Sequence, residues 1–276
     1  MSKHGFIGKL ICISIAITSP SLVIAKNYPL PERLVKSSQI TYCSPMDVPP
    51  LTFYDPNSTP SGLTVDLANR IAKDLGNKKV EWKIIPFSGM IPALLASQCD
   101  IIVAQLFDKP ERRQVIDIIN YMVSSQAIVV ADGNPKNIHS LEDLSGKKVA
   151  VNNGSTIKSL LDKQSTDFVN SGKKPINIII FPSDGEAFQA LRLGQVDAHG
   201  TTMEAAGYYE TLSQKTFKTA VPAFNKILTG FGIRKEDVQL SNAVHGILND
   251  MQSDGSYQAT FKKWNIEGDQ LERGKL

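Results

Sequence analysis

Histidine, cysteine and long apolar runs are scarce in this chain of 276 residues, and each scarcity removes a class of function. Only 3 cysteines occur, too few for a disulfide scaffold, which needs several bridges in a far shorter chain. The histidines are His4, His139, His199 and His245; none has a metal-ligand partner at motif spacing, so surface or structural roles suit those in the body. No GxSxG is present, and neither later cysteine carries a local nucleophile signature. Beyond the first thirty residues no apolar run reaches the 18 or so that a membrane helix needs. Charge lacks a dominant sign, with 30 Lys plus Arg against 27 Asp plus Glu and a net +3. No block of like charges advertises nucleic acid. At 42% hydrophobic and 21% charged the chain is neither disordered nor a coiled coil, and its length suits about two domains.

What is present begins with a leader. Lys3, His4 and Lys9 make a positive start, an apolar stretch runs from Leu10 to Ile17, and Val23-Ile24-Ala25 supplies the small residues of a cleavage site. Residues 1–25 therefore read as a signal peptide, with an N-terminal anchor as the alternative. Losing Lys3 and Lys9 leaves 28 basic residues against 27 acidic ones, a nearly neutral exported protein. Cys43 and Cys99 remain in a compartment that permits pairing. The strands read at 40–43 and 100–104, if parallel and adjacent, put the two sulfurs near opposite ends. Several residues at about 3.3 Å each exceed the reach of a disulfide, so two buried thiols are expected, unless the register is different.

Along the body, strand-like and helix-like segments alternate with short connections, the pattern of parallel sheets with crossover helices. The spacing predicts helices over 65–75, ending at Gly76, from Pro92, from Glu111, through Leu161, over 186–193, 238–251 and 257–264. Strands are expected at 80–85, 127–131, 147–151, 176–181, 196–198 and 230–234, with a proline-rich loop over 44–60. The result is two α/β lobes, the last helices returning to the first.

In open α/β sheets ligands sit beyond the carboxyl ends of the strands. Gly154-Ser155-Thr156 lies between a strand and a helix start, where free N–H groups and hydroxyls make either an anion site or an ordinary cap. It lacks the lysine and spacing of a phosphate loop. Arg112 and Arg113 follow Lys109-Pro110-Glu111. One of them, turned into a cleft, holds a carboxylate through parallel N–H bonds; otherwise both are solvated helix charges. Phe87 ends a strand as either a ligand cover or core packing.

The order of motifs is more specific than any one of them. Pro50-Leu51-Thr52-Phe53-Tyr54-Asp55, Gly62-Leu63-Thr64-Val65-Asp66-Leu67-Ala68, Ile91-Pro92-Ala93-Leu94-Leu95 and Cys99-Asp100-Ile101-Ile102 come first. Lys109-Pro110-Glu111-Arg112-Arg113, Gly154-Ser155-Thr156, Gly194-Gln195-Val196-Asp197-Ala198, Gly232-Ile233-Arg234-Lys235-Glu236-Asp237 and Asp254-Gly255-Ser256-Tyr257 follow. In that order, over residues 38–266, the chain resembles the family 3 extracellular solute-binding proteins, the amino-acid receptors of bacterial ABC importers. The resemblance implies a type II periplasmic-binding-protein fold, with two α/β lobes joined by a two-strand hinge. Lobe 1 would be 26–121 plus 231–276 and lobe 2 would be 122–230. It implies a periplasmic, non-enzymatic monomer that hands a small carboxylate-bearing solute to importer membrane subunits, with no cofactor, metal or nucleic acid. By the same likeness Arg112 grips the α-carboxylate, Ser155 and Thr156 add donors, Phe87 covers the ligand, and Gln105 and Phe107 stand where polar residues are usual.

Three positions depart from that pattern. Thr202 occupies the place of the acid that balances the ligand's ammonium, Val48 that of an aromatic and Pro45 that of an acid. Asp47 or Glu204 could compensate. The competing class is a dehydratase-like enzyme on the same scaffold with Glu204 or His199 as general acid. A titratable pair inside the cleft would favour it. A signalling sensor is a third reading, against which stands the lack of a later membrane segment.

Overall fold

The computed structural model describes residues 28–213 and 215–275. The leader at 1–25 lies outside them. Helix α1 (Glu32–Lys36) leads into β1 (Gln39–Ser44). The proline-rich loop is itself a small sheet of β2 (Asp47–Val48), β3 (Thr52–Tyr54) and β4 (Pro60–Ser61), and contains a cis Pro49–Pro50 bond. Then come α2 (Leu63–Asp74), β5 (Lys79–Ile84), α3 (Met90–Leu95), β6 (Ile101–Phe107) and α4 (Pro110–Arg113). Leu63, Leu67 and Ile71 form the buried stripe of α2, the spacing that drives an amphipathic helix onto a sheet. Gly62 starts that helix at φ +129, where a Cβ would lie 2.0 Å from the Leu51 carbonyl oxygen, so only glycine fits. All seven residues of β6 are buried, as expected of a strand covered on both faces.

The second half holds β7 (Ile116–Ala131), β8 (Lys148–Asn152), α5 (Thr156–Asn170), β9 (Asn177–Phe181), α6 (Asp184–Arg192), β10 (Ala198–Thr202), α7 (Met203–Leu212) and β11 (Phe217–Arg234). Helices α8 (Val238–Asp254) and α9 (Ser256–Lys263) close the chain against the first half. The large sheet runs β5-β1-β6-β11-β7-β10-β8-β9. Its two ends are parallel blocks, β5-β1-β6 and β10-β8-β9. Between them β7 and β11 pair antiparallel along their length, with register shifts between Val221 and Phe224 and between Phe224 and Ile227. These two strands are the hinge of a two-lobed α/β fold. One set of cores draws on Leu34–Met122 and Phe231–Phe261; the other draws on residues between Ala127 and Val221.

The segments expected at 127–131 and 230–234 are only the ends of these long strands. Polar Ser124, Ser125 and Gln126 hide the continuation of β7, because the strand passes from one core to the other there. The strand expected at 196–198 instead spans Ala198–Thr202. The expectation of two unpaired thiols is overturned: Cys43 and Cys99 form a disulfide with Cα atoms 5.7 Å apart. Cys99 precedes β6 rather than extending it. The chain turns at Ser97, with φ +56, and lays Cys99 over the face of β1 to which Cys43 points, inside one apolar cluster with Met90 and Leu94.

Candidate functional site

Strand ends of both lobes meet around a cavity of about 60 Å³. Pro45, Val48, Phe87, Gln105 and Phe107 line it from the first lobe. Gln126, Asn152, Ser155, Thr156, Ile157, Asp184, Gly200, Thr201 and Thr202 line it from the second. Six of the residues expected at the site (Phe87, Gln105, Phe107, Ser155, Thr156 and Thr202) are thus brought together.

Arg112, the seventh, is not among the residues that line this cavity; it packs behind two that are, Phe87 and Phe107. Its guanidinium carbon lies 5.4 Å from the centroid of the Phe87 ring. One Nη donates to the Phe107 carbonyl at 3.0 Å and the other to the Gly154 carbonyl at 3.4 Å. Phe107 belongs to the first lobe and Gly154 to the second, so the guanidinium spans the seam. Among the described residues no carboxylate forms an ion pair with it. Burial pushes its pKa down to about 10, against the pull of Glu111, so it stays cationic at neutral pH. Arg113 turns away and pairs with Asp108. Gly154 has φ +74, and a Cβ there would sit 3.2 Å from Ser88 of the other lobe. Glycine therefore permits both the turn and the close approach.

The hydroxyls divide. Ser155 caps α5, accepting from the Lys158 N–H and donating to the Asn152 carbonyl at 2.7 Å, so the ordinary cap reading holds for its side chain. Thr156 Oγ1 is buried with no partner. Thr202 caps α7, accepting from the Ala205 N–H at 3.4 Å. Gln105 is committed beneath the cavity: its Nε2 donates to Ser124 Oγ and Glu204 Oε2, each at 2.9 Å. Glu204 is buried under that amide and lines a separate groove behind the hinge. Burial, followed by Asp269 nearby, raises its pKa. Of the two suggested compensating acids, Glu204 therefore faces the hinge. Asp47 faces the second lobe, its Oδ2 accepting from the Asp184 N–H at 3.3 Å. Burial and then Asp184 push Asp47 up to about 7.

Sequence reasoning missed Gln126, Asn152, Asp184 and Thr201. Among the described residues Gln126 Nε2 and Asn152 Oδ1 find no hydrogen-bond partner, like Thr156 Oγ1, and all three are buried. Unmade bonds of this kind cost about 1–3 kcal/mol each, and three in one cavity mark a wall built to meet a guest. Asn152 precedes the Gly154-Ser155-Thr156 turn and Thr201 adjoins Thr202, so both were one or two residues from a motif. Asp184 had only a helix-start context. His199 is fully buried behind it, with Phe188 against its ring at 4.7 Å, while His139 and His245 are exposed. Among the described residues no group of three or more His, Cys, Asp or Glu could hold a metal.

A mixed sheet crossed by two hinge strands, with a cavity closed between its lobes, defines the class of two-lobed solute-binding proteins. Residues 40–267 match the model of the bacterial extracellular solute-binding proteins, family 3, and the chain belongs to that family. It is 28% identical over 219 residues to the L-cystine-binding protein TcyJ of Escherichia coli (strain K12), covering 78% of each chain. It is 30% identical over 207 residues to the glutamine-binding ABC transporter protein GlnH of Bacillus subtilis (strain 168), covering 74% of this chain and 72% of that one. A solved ancestral amino acid-binding protein, AncCDT-1, described as a precursor of cyclohexadienyl dehydratase, superposes with a TM-score of 0.76 at 33% identity. That match covers 84% of this chain and 97% of the other.

Proposed function

We propose that this protein is the periplasmic receptor of an ABC importer, exported by the leader at 1–25 and acting as a monomer. It binds a small carboxylate-bearing solute, an amino acid or derivative, between lobes that divide near residues 121 and 230. The observation that carries this reading is Arg112, a half-buried cation spanning the seam with carbonyl partners but no counter-ion among the described residues. A ligand carboxylate supplies that counter-ion through bonds of about 1.5–3 kcal/mol each. The unpartnered Thr156, Asn152 and Gln126 atoms receive its other polar groups, while Phe87 and Phe107 cover its apolar part. The names of the relatives agree with such a solute.

Binding works by closure. The lobes touch through Asn153 to Ser88 at 3.4 Å, Arg112 to Gly154 and Asp184 to Asp47. A ligand that contacts both walls binds this closed state better than an open one and shifts the population toward it. Importer membrane subunits then read lobe geometry.

The enzyme reading rests on the AncCDT-1 likeness and on His199 within reach of Asp184. It is disfavoured because the imidazole has no face on the cavity, so no acid–base pair reaches a substrate. A thermal-shift screen over amino acids, opines, polyamines and small organic acids tests the receptor role. At a hundredfold excess over Kd a ligand adds about 2.7 kcal/mol. Shifts confined to carboxylate-bearing compounds are expected; shifts with polyamines alone contradict the reading.

A further inference from the structure

The cavity contains a carboxylate that neither the family pattern nor the relatives' names assign. Asp184 opens α6, is 5% exposed, and contributes to the cavity wall. Thr201 Oγ1 donates to its two oxygens at 3.0 and 3.2 Å. His199 Nε2 lies 3.0 Å from Oδ1, and His199 Nδ1 lies 3.1 Å from the Ala150 carbonyl. A carbonyl only accepts, so Nδ1 carries a hydrogen, and the contact between Nε2 and the carboxyl group needs a proton of its own. The carboxyl is therefore held in one orientation by the Thr201 hydroxyl and by the proton it shares with His199, both on β10. Its backbone N–H is bound by Asp47 of the opposite lobe, so closure also fixes the helix start that bears it.

Thr202, by contrast, is neutral, and its hydroxyl is spent on the α7 cap. The same cavity holds the buried, unpartnered polar atoms of Gln126, Asn152 and Thr156, independent signs that a polar guest belongs there. Asp184 is thus an acidic group in the wall of that cavity.

Resting on the receptor reading, we propose that Asp184 is the specificity-determining partner of the ligand's ammonium group, the role having moved from position 202 to the start of α6. His199 and Thr201 are its positioning residues. An acidic side chain held this way offers an ammonium carboxyl oxygens as acceptors, whereas the Thr202 hydroxyl is committed to the α7 cap.

The test compares affinities for α-amino acids and their des-amino carboxylic acids by calorimetry in the full mature chain, using wild type, Asp184→Asn and Thr202→Val. The amino to des-amino affinity ratio is expected to fall tenfold or more in Asp184→Asn, and further than in Thr202→Val. Asp184→Ser supplies the same loss should the asparagine variant not fold, because Ser183 rather than residue 184 caps α6. An unchanged ratio in the Asp184 variants, or a larger fall in Thr202→Val, overturns the assignment while leaving the receptor intact. Failure of wild type to bind either set overturns both.

Discussion

The first lobe meets the cavity mostly with Pro45, Val48, Phe87 and Phe107, whereas the second meets it with Gln126, Asn152, Thr156, Asp184 and Thr201. The apolar wall is satisfied without a guest; the polar wall is not, since three of its buried atoms lack partners. On the proposed reading the first wall offers apolar area, with the Arg112 cation packed behind Phe87, and contributes affinity to many solutes. The second holds donors and acceptors in fixed places and penalises any solute that leaves them unmet, which is how a binding site discriminates. The lobes also differ in their anchoring. The first carries the Cys43–Cys99 bond and the buried Arg234, which donates to the Leu94 and Cys99 carbonyls and pairs with Asp237. The first lobe is thereby the more heavily cross-linked one.

Removing that staple should have the largest effect. Cys43→Ala with Cys99→Ala opens a loop of 56 residues and should cost about 4 kcal/mol by loop entropy, lowering Tm by roughly 10 °C. Denaturant unfolding with a probe in each lobe should show the first lobe melting earlier than in wild type. Equal loss in both lobes would remove the contrast in anchoring. Phe87→Ala comes next: it strips the apolar cover and the ring beneath Arg112, and affinity should fall about tenfold for every ligand alike. A change in ligand ranking would show that the first wall also selects. Thr156→Val should act with opposite signs on the two states. Replacing an unpartnered buried hydroxyl with a methyl group should raise the stability of the free protein by about 1 kcal/mol and lower affinity about fivefold. Losses in both would mean that the hydroxyl already has a partner.

The smallest effect concerns pH. Asp47 is raised to about 7 in the folded protein, so its protonated form is the one folding favours. Its contribution is fully present near pH 4 and is lost as pH rises through 7. Wild type should therefore lose stability relative to Asp47→Asn between pH 5 and pH 8, by an amount that solvent at this half-buried group keeps modest. Parallel stability profiles would detach Asp47 from the seam.

Much of the architecture was legible because it is periodic. The stripe of α2, the unbroken apolar run of β6 and the glycine stop at Gly76 each follow from local chemistry. The hinge was not, because β7 changes cores at Ser124–Gln126 and β11 bends with Asn225 at φ +50, which breaks the alternation a strand is recognised by. Helix α7 escaped because Gly207 and short alanines blur its stripe. The disulfide was misjudged because Cys99 sits in the irregular segment between the turn at Ser97 and β6, and such a segment carries no register. At the candidate site, the family resemblance points to Arg112 and Phe87, whereas nothing local points to Asp184. Its meaning depends on His199, Thr201 and Asp47, which come from other strands and from the other lobe, so only the folded chain brings them together.

The central claim is that Arg112 waits at the seam for a carboxylate. Calorimetric titration of wild type and Arg112→Ala with a bound amino acid and with its carboxamide tests it directly. Wild type should prefer the acid by tenfold or more, and the variant should lose that preference while remaining folded. A variant that still prefers the acid as strongly as wild type would place the carboxylate elsewhere and contradict the account.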